Sequence, residues 1–403
     1  MIEKYYDGAI EQVAAGLGTV EKNHLLVRYS GQFSVENLND TKQLEKNEDI
    51  FVQVHEFETG EITCAYEPYL TMICDGFRRY MTGTFEEFME TCDVYYLHRP
   101  VLLGYFNQDN TGREEIILLD EVAYEQERML AALERMLCAI ADRHPVLFVL
   151  NRFQLASKST MQLTVRFLKC ENCNIGLVLG VSDIQAMPEF LVPDWEMLYE
   201  TLDDGSKIYH IGNSGRKKEE TIDDEKYVDY GSEKVYRKLQ NMVEFLDFDQ
   251  AAYYLETIER KIKFDNLLVD DAARFRMWLL FVKVSILRQD IPKALEICED
   301  LEKIHLAGKE EECAYEQDYL IATAYMYQGK LKEALEMAGE TYRIAGKMSD
   351  DYRMFLSELL EAKIQMSGWY NIFFCAQDVK IKESLIQNLI RYNYRNHLAH
   401  VYI

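Results

Sequence analysis

Proline is scarce in this chain, six in 403 residues, and five of the six lie at or before Pro193. Glycine thins out in the same direction: of twenty, only five lie beyond residue 235. A stretch this poor in helix breakers, with apolar residues at helical spacing, predicts an almost wholly helical second half. Basic residues are also in deficit, 44 Lys plus Arg against 69 Asp plus Glu, for a formal net charge of −25. That average field repels a phosphate backbone and argues against direct DNA or RNA binding. The one compact basic run, Arg216-Lys217-Lys218, is followed at once by Glu219-Glu220 and reads as solvated linker. No run approaches the ~18 apolar residues of a membrane span, and the start lacks a signal-peptide core. The expectation is a soluble, cytoplasmic protein with no membrane partner. Nine cysteines at irregular spacing suit reduced thiols, not a disulfide framework.

What is present is ordinary globular material, 48% hydrophobic and 28% charged. The length predicts two or three domains of about 100–200 residues each. The most informative stretch is His144–Asp183. It holds two continuous apolar runs, Val146–Leu150 and Ile175–Val181, with an amphipathic segment from Ser159 to Lys169 between them. Strand, helix and strand in this order make the unit of a parallel α/β sheet, with strands buried on both faces. Earlier elements are expected as a helix over 2–17, strands at His24–Val27 and Phe51–Val54, the latter extending as far as Glu56 at most, and a helix over Leu70–Tyr80. A short helix over 84–92 follows, capped by Thr84 ahead of Glu86-Glu87. Asn107–Gly112 is a turn signal, and Glu115–Arg143 is a long helix. In that helix Leu119, Val122, Met129, Leu130, Leu133, Met136, Leu137 and Ile140 form the expected buried face.

The second half repeats weakly. Helix-turn-helix joins align at Leu246–Ala251, Gln289–Ala294, Gly329–Ala334 and Gly368–Phe373, with starts 43, 40 and 39 residues apart. The third is the clearest: Ala322, Tyr325, Gly329, Ala334 and Ala338 sit where a tetratricopeptide repeat places its small and aromatic packing residues. The period exceeds the usual ~34 residues, so the expectation is a tetratricopeptide-like array with longer helices. The expected domains are therefore 1–212, a charged linker over 213–235, and the helical array over 236–403.

The first half resembles the ATPase domain of STAND signalling proteins, the MalT-like and adenylate-cyclase-associated branch of the AAA-type P-loop NTPases. The resemblance is carried by the order of features: a strand and loop at Leu25–Leu38, then Tyr66-Glu67-Pro68-Tyr69 before a helix. A long helix follows into Arg143-His144-Pro145 and an apolar strand, then Phe153-Gln154-Leu155-Ala156, Leu163–Leu168 and Gly180-Val181-Ser182-Asp183. It implies an α/β plus all-α protein, a P-loop-NTPase-like parallel sheet followed by tetratricopeptide-like repeats. The motifs that make the family an enzyme are missing. A phosphate loop needs several glycines, a Lys and a Ser or Thr. In the matching loop Gly31 stands alone, and Val35 and Glu36 fall where Lys and Ser/Thr belong. A carboxylate there would repel phosphate by about 4 kcal/mol at ~4 Å and an effective dielectric of ~20. The metal-holding acid of the second motif, after the apolar run Val146–Leu150, is replaced by Asn151-Arg152.

The resemblance therefore implies a pseudo-ATPase without cofactor, metal or catalytic residues. Such a protein would regulate or scaffold through protein–protein contact, as the front part of a longer signalling or transcription regulator. The alternative is a nucleotide-binding switch that keeps ATP or ADP in a rearranged pocket. A protein or peptide partner would meet aromatics of the helical half, with Tyr253, Tyr254, Trp278, Tyr327, Trp369 and Tyr370 as candidates. Cys170-Glu171-Asn172-Cys173 has C-x-x-C spacing but no second pair, and reads as structural thiols. His397 and His400 lack further ligands and read as packing or surface residues. Leu385–Ile403 stays helix-patterned to an apolar end without a polar cap. The expectation is that the array continues past residue 403, or that another chain, a second copy included, covers this end.

Overall fold

The computed structural model describes residues 2–18, 24–29, 49–58, 61–108, 121–170, 174–182, 187–203, 207–211, 229–265, 267–370 and 383–395. The chain divides into two compact units. The first holds Met1–Gly112, Ala123–Asp229 and Glu244–Gln250; the second holds Arg113–Val122, Tyr230–Val243 and Ala251–Ile403. The division is thus not a single cut. A short piece beyond the expected linker, Glu244–Gln250, belongs to the first unit, and most of that linker lies outside the described residues.

Among the described residues the first unit is built on a five-stranded parallel sheet of β1 (His24–Tyr29), β2 (Phe51–Glu56), β3 (Val146–Asn151), β4 (Ile175–Ser182) and β5 (Lys207–Ile211), in the order β2-β3-β4-β1-β5. Every residue of β3 and β4 is buried, as their continuous apolar runs require of strands covered on both faces. On one face lies α1 (Ile2–Gly16). Its Ala9, Ile10 and Val13 pack with Leu25, Val27, Leu147, Val149 and Val178. Gly176 lets that helix come close, because a Cβ added there would stand 2.6 Å from Val13 Cγ1.

The other face is covered by α2 (Tyr69–Tyr80) and α6 (Lys158–Lys169). The Tyr69 ring packs edge-on against Phe148 and Phe167, with centroids 4.7 and 5.2 Å away, and its hydroxyl lies 2.6 Å from Thr164 Oγ1. Between α2 and α6 in sequence come α3 (Phe85–Thr91), α4 (Arg99–Asn107) and α5 (Val122–Ala141). The Thr84 cap is a full capping box: Thr84 Oγ1 accepts from Glu87 N at 3.2 Å, and Thr84 N donates to Glu87 Oε2 at 2.8 Å. The buried side of α5 carries Met129, Leu130, Leu133, Met136, Leu137 and Ile140, with Val122 only half-buried and Leu119 outside the described residues. It also carries Glu125, a charge at a core position that the apolar pattern concealed. There Glu125 Oε2 lies 3.1 Å from His98 Nε2, and Oε1 accepts from Arg128 at 2.7 Å. The helix α7 (Val192–Asp203) leads to β5 and completes the unit.

The second unit is helical: α8 (Glu233–Glu244) up to Val243, the remainder of α9 (Phe248–Phe264), α10 (Asp271–Leu287), α11 (Ile291–Leu301), α12 (Glu310–Gln328), α13 (Leu331–Met348), α14 (Asp351–Tyr370) and α15 (Glu383–Arg391). Consecutive helices from α10 to α14 pack in neighbouring pairs. The joins after α10, α12 and α13 share one geometry. A left-handed residue, Gln289 (φ 63°), Gly329 (φ 81°) or Ser349 (φ 57°), ends the helix. The next N–H then reaches back five residues, Asp290 to Ser285 O, Lys330 to Tyr325 O and Asp350 to Ala345 O, at 2.8–3.1 Å. Ala322, Ala334 and Ala338 are buried together with Met326, Leu360 and Ile364, the close helix approach expected of small residues.

Two sequence expectations are corrected. Gly368 is not a join; it lies inside α14, which runs on to Tyr370. Glycine in a helix interior costs only about 1 kcal/mol relative to Ala, so one glycine does not end a helix. The chain end is not helical throughout either: α15 stops at Arg391, and Asn393 turns left-handed at φ 60°. Among the described residues no helix is long and apolar enough to cross a membrane.

Candidate functional site

The carboxyl ends of β1, β2, β3 and β4 form the natural place for a ligand in a sheet of this topology. The connections leaving the neighbours β1 and β4 diverge, to β2 at one edge and β5 at the other, and such a divergence marks the usual binding crevice. Alternation puts Tyr29, Asn151 and Glu56 on the face that α1 covers, each at the last position of its strand.

These groups bind one another. Tyr29 Oη donates to Asn151 Oδ1 at 2.6 Å, crossing the intervening β4. Tyr29 is 1% exposed and Asn151 is 0% exposed. Burial pushes the Tyr29 phenol up to about 12, against the opposing pull of the Arg152 charge and the Asn151 hydrogen bond. Arg152 turns left-handed at φ 52° and ψ 42°, and its Nη2 sits 3.2 Å from Glu56 Oε1. Gln154 closes the end of β4: its Nε2 donates to Ser182 O at 3.1 Å, and Ser182 N donates to its Oε1 at 3.3 Å.

The positive charge expected beside a metal position is thus turned onto a carboxylate, and Asn151 is an amide acceptor sealed from solvent. The loop positions Gly31, Val35 and Glu36 lie outside the described residues. Among the described residues no group of three His, Cys, Asp or Glu side chains could hold a metal ion.

A second polar cluster, invisible to sequence reasoning, surrounds the start of α6. Ser157 caps the helix by accepting from Thr160 N at 3.3 Å. Two further free N–H groups of its first turn are met by the Glu244–Gln250 segment: Ser159 N donates to Asp247 Oδ2 at 3.1 Å, and Lys158 N to Gln250 Oε1 at 3.3 Å. The Lys158 ammonium pairs with Asp249. Ser159 Oγ accepts from Tyr66 N at 3.1 Å, and Thr160 Oγ1 donates to Glu67 O at 3.0 Å. Burial raises Asp247 above the usual carboxylate range, although hydrogen bonds from Ser159 oppose the shift. Burial works against the charge on Lys158, and Asp249 outweighs it, so that its pKa is raised. The segment reads in sequence as a helix join, and Asp247 and Gln250 gave no sign that they cap a helix some ninety residues earlier.

Alongside runs a groove of about 580 Å³ between α5, α6 and α7. Arg166 spans it to Glu127 and to Glu134, the latter at 3.0 Å, and Gln162 donates to Asp194 at 2.9 Å.

The aromatic candidates for partner contact scatter. Trp278 is 3% exposed and packs edge-on against Phe281, so it is a core residue of its unit and cannot receive a partner there. Its helix α10 is apolar on most sides, which removes the amphipathic signal separating an inner from an outer tryptophan. Tyr253 and Tyr254 are half-buried and lie against each other at 5.5 Å. Tyr327 is 38% exposed at the end of α12. Trp369 and Tyr370 close α14, with side chains outside the described set, as are His397 and His400. No protein-family model matches this chain, and a search of curated proteins returns no match to it.

Proposed function

We propose that this is a non-catalytic regulatory or scaffold protein of degenerate STAND type, acting by protein–protein contact. One observation carries the reading: the strand-end position where a nucleotide hydrolase needs a metal-binding acid is Asn151, fully buried and bonded to Tyr29. An amide brings no charge to a metal ion, and its oxygen is already engaged. The cation that follows it, Arg152, is paired with Glu56 instead of facing a phosphate. The parallel sheet with an internal first strand agrees with a P-loop-like ancestry. The helical unit, with its repeated left-handed joins at Gln289, Gly329 and Ser349, agrees with a tetratricopeptide-like array. Such arrays present surface for a peptide or helix, and Tyr327 is an exposed aromatic on this one.

Isothermal titration of the full chain with ATP and ADP, with and without Mg²⁺, tests the reading. The expected result is no heat of binding at tens of micromolar protein. Micromolar affinity for either nucleotide overturns it in favour of a nucleotide-binding switch. Affinity capture from the native cell, read by mass spectrometry, then identifies the partner, and Tyr327→Ala weakens its recovery if the helical unit is the docking surface.

A further inference from the structure

Two half-buried cysteines far apart in sequence meet outside the strand-end site. Cys138, on α5, and Cys170, which caps the end of α6, place their sulfurs 3.8 Å apart. They are 32 positions apart in the chain, and the segment between them contains all of β3 and α6. A disulfide needs about 2.05 Å between sulfurs, so closure asks for side-chain rotation of less than about 2 Å and no new meeting of distant elements. Cys170 also lines the groove between α5, α6 and α7, beside Lys169 and Arg166, which opens it to a small oxidant. The neighbouring Cys92 is a contrast. It is buried, and burial foremost pushes its thiol up to about 11, so it stays protonated and inert.

We propose that Cys138 and Cys170 are a redox modification site, a dithiol that closes to an intramolecular disulfide when the protein meets a peroxide. The Cys170 thiolate attacks a peroxide oxygen; the O–O bond breaks, and the leaving hydroxide takes up a proton as water. Cys170 is then a sulfenic acid. The Cys138 thiolate attacks its sulfur, the S–O bond breaks, and a second water leaves as the S–S bond forms. Two thiols lose two electrons and two protons, and one hydrogen peroxide becomes two waters. The bridge ties the end of α6 to the last turn of α5 and encloses the strand and helix that carry Asn151, Arg152 and the Ser157–Thr160 cap. Reduction by a dithiol reverses it.

The test uses the reduced full-length chain, treated with stoichiometric hydrogen peroxide, alkylated under denaturing conditions and digested without reductant. The expected product is a peptide pair cross-linked through Cys138 and Cys170, with seven of the nine thiols still titratable and all nine recovered after dithiothreitol. The variant Cys173→Ser keeps the cross-link. Cys138→Ser abolishes it and leaves Cys170 trappable by dimedone as sulfenic acid. A Cys170–Cys173 bridge as the main product overturns the proposal, and so does a count of nine free thiols after treatment. The wild-type map alone decides the matter if Cys138→Ser fails to fold.

Discussion

Tyr29 and Asn151 lie 122 positions apart in the chain and share a 2.6 Å hydrogen bond beneath the surface, from the end of β1 to the end of β3. The bond passes over β4, so three strands are tied together at the end where ligands usually enter such sheets. Removing the phenol hydroxyl takes this donor from a buried amide oxygen. Tyr29→Phe is expected to cost about 1–3 kcal/mol, the penalty for deleting one partner of a buried hydrogen bond. Urea unfolding followed by circular dichroism measures it. A double-mutant cycle with Asn151→Ala should show coupling of about 1 kcal/mol, since the two side chains touch.

Gly176 is a packing glycine. A methyl group there would stand 2.6 Å from Val13 Cγ1, with Leu17 Cδ2 at 3.1 Å and Leu147 Cδ1 at 3.2 Å. Gly176→Ala therefore forces α1 away from the sheet and is expected to cost about 1–3 kcal/mol. Val13→Ala in the same chain should return part of that loss. Additive losses in thermal melts would count against close contact as the cause.

The left-handed joins give a test of opposite signs. Gln289 holds φ 63° with a side chain that left-handed backbone disfavours, whereas Gly329 occupies the same conformation without that penalty. Gln289→Gly should leave stability unchanged or raise it by up to about 1 kcal/mol, and Gly329→Ala should lower it by about 1–2 kcal/mol. Nothing lies within 4 Å of a Cβ added at Gly329, so its loss reports backbone conformation and not crowding.

Asp318 predicts a pH dependence of unusual direction. Burial, then the charges of Glu340 and Glu302, lift its carboxyl from an ordinary value of 3.8 to about 6. The folded state therefore holds the proton more tightly than the unfolded one. The stability this contributes is complete below about pH 4 and is lost as pH rises through about 6. Asp318→Asn keeps the neutral form at every pH. It should stabilise the protein at pH 7.5 by about 1–2 kcal/mol, a figure reduced for partial solvent screening, and leave it unchanged at pH 4. Chemical denaturation at the two pH values reads the difference.

The parts of this protein that were legible in sequence are those whose signal is local. Val146–Leu150 and Ile175–Val181 are continuous apolar runs and became the two fully buried strands. Thr84 with Glu87 three residues on is a capping box by spacing alone, and it formed. The strand β5, reading KIYHI, was missed because Lys and His interrupt its apolar pattern over only five residues. Leu246 and Gln289 take the left-handed turn that sequence reasoning reserves for glycine, so a helix end there carries no compositional mark. Gly368 erred in the opposite way, a helix-breaking residue that lies within the last turn of a long helix. At the site itself, the missing acid at position 151 was visible. That Tyr29 would occupy its oxygen, that Glu56 would take the charge of Arg152, and that Asp247 would cap α6 were not, because each depends on the fold bringing distant segments together.

The place of β1 in the sheet sets a condition on how the protein is made. Among the described residues this strand pairs only with β4 and β5, and its Leu25 meets Val178, 153 positions later in the chain. At a synthesis rate of about 5–20 residues per second, β1 waits roughly 8–30 s after it leaves the ribosome for β4 to follow. Throughout that interval HLLVRY has both of its edges unpaired and its apolar side chains uncovered by the sheet. The yield of folded chain is therefore expected to fall when β4 is truncated or its translation is slowed.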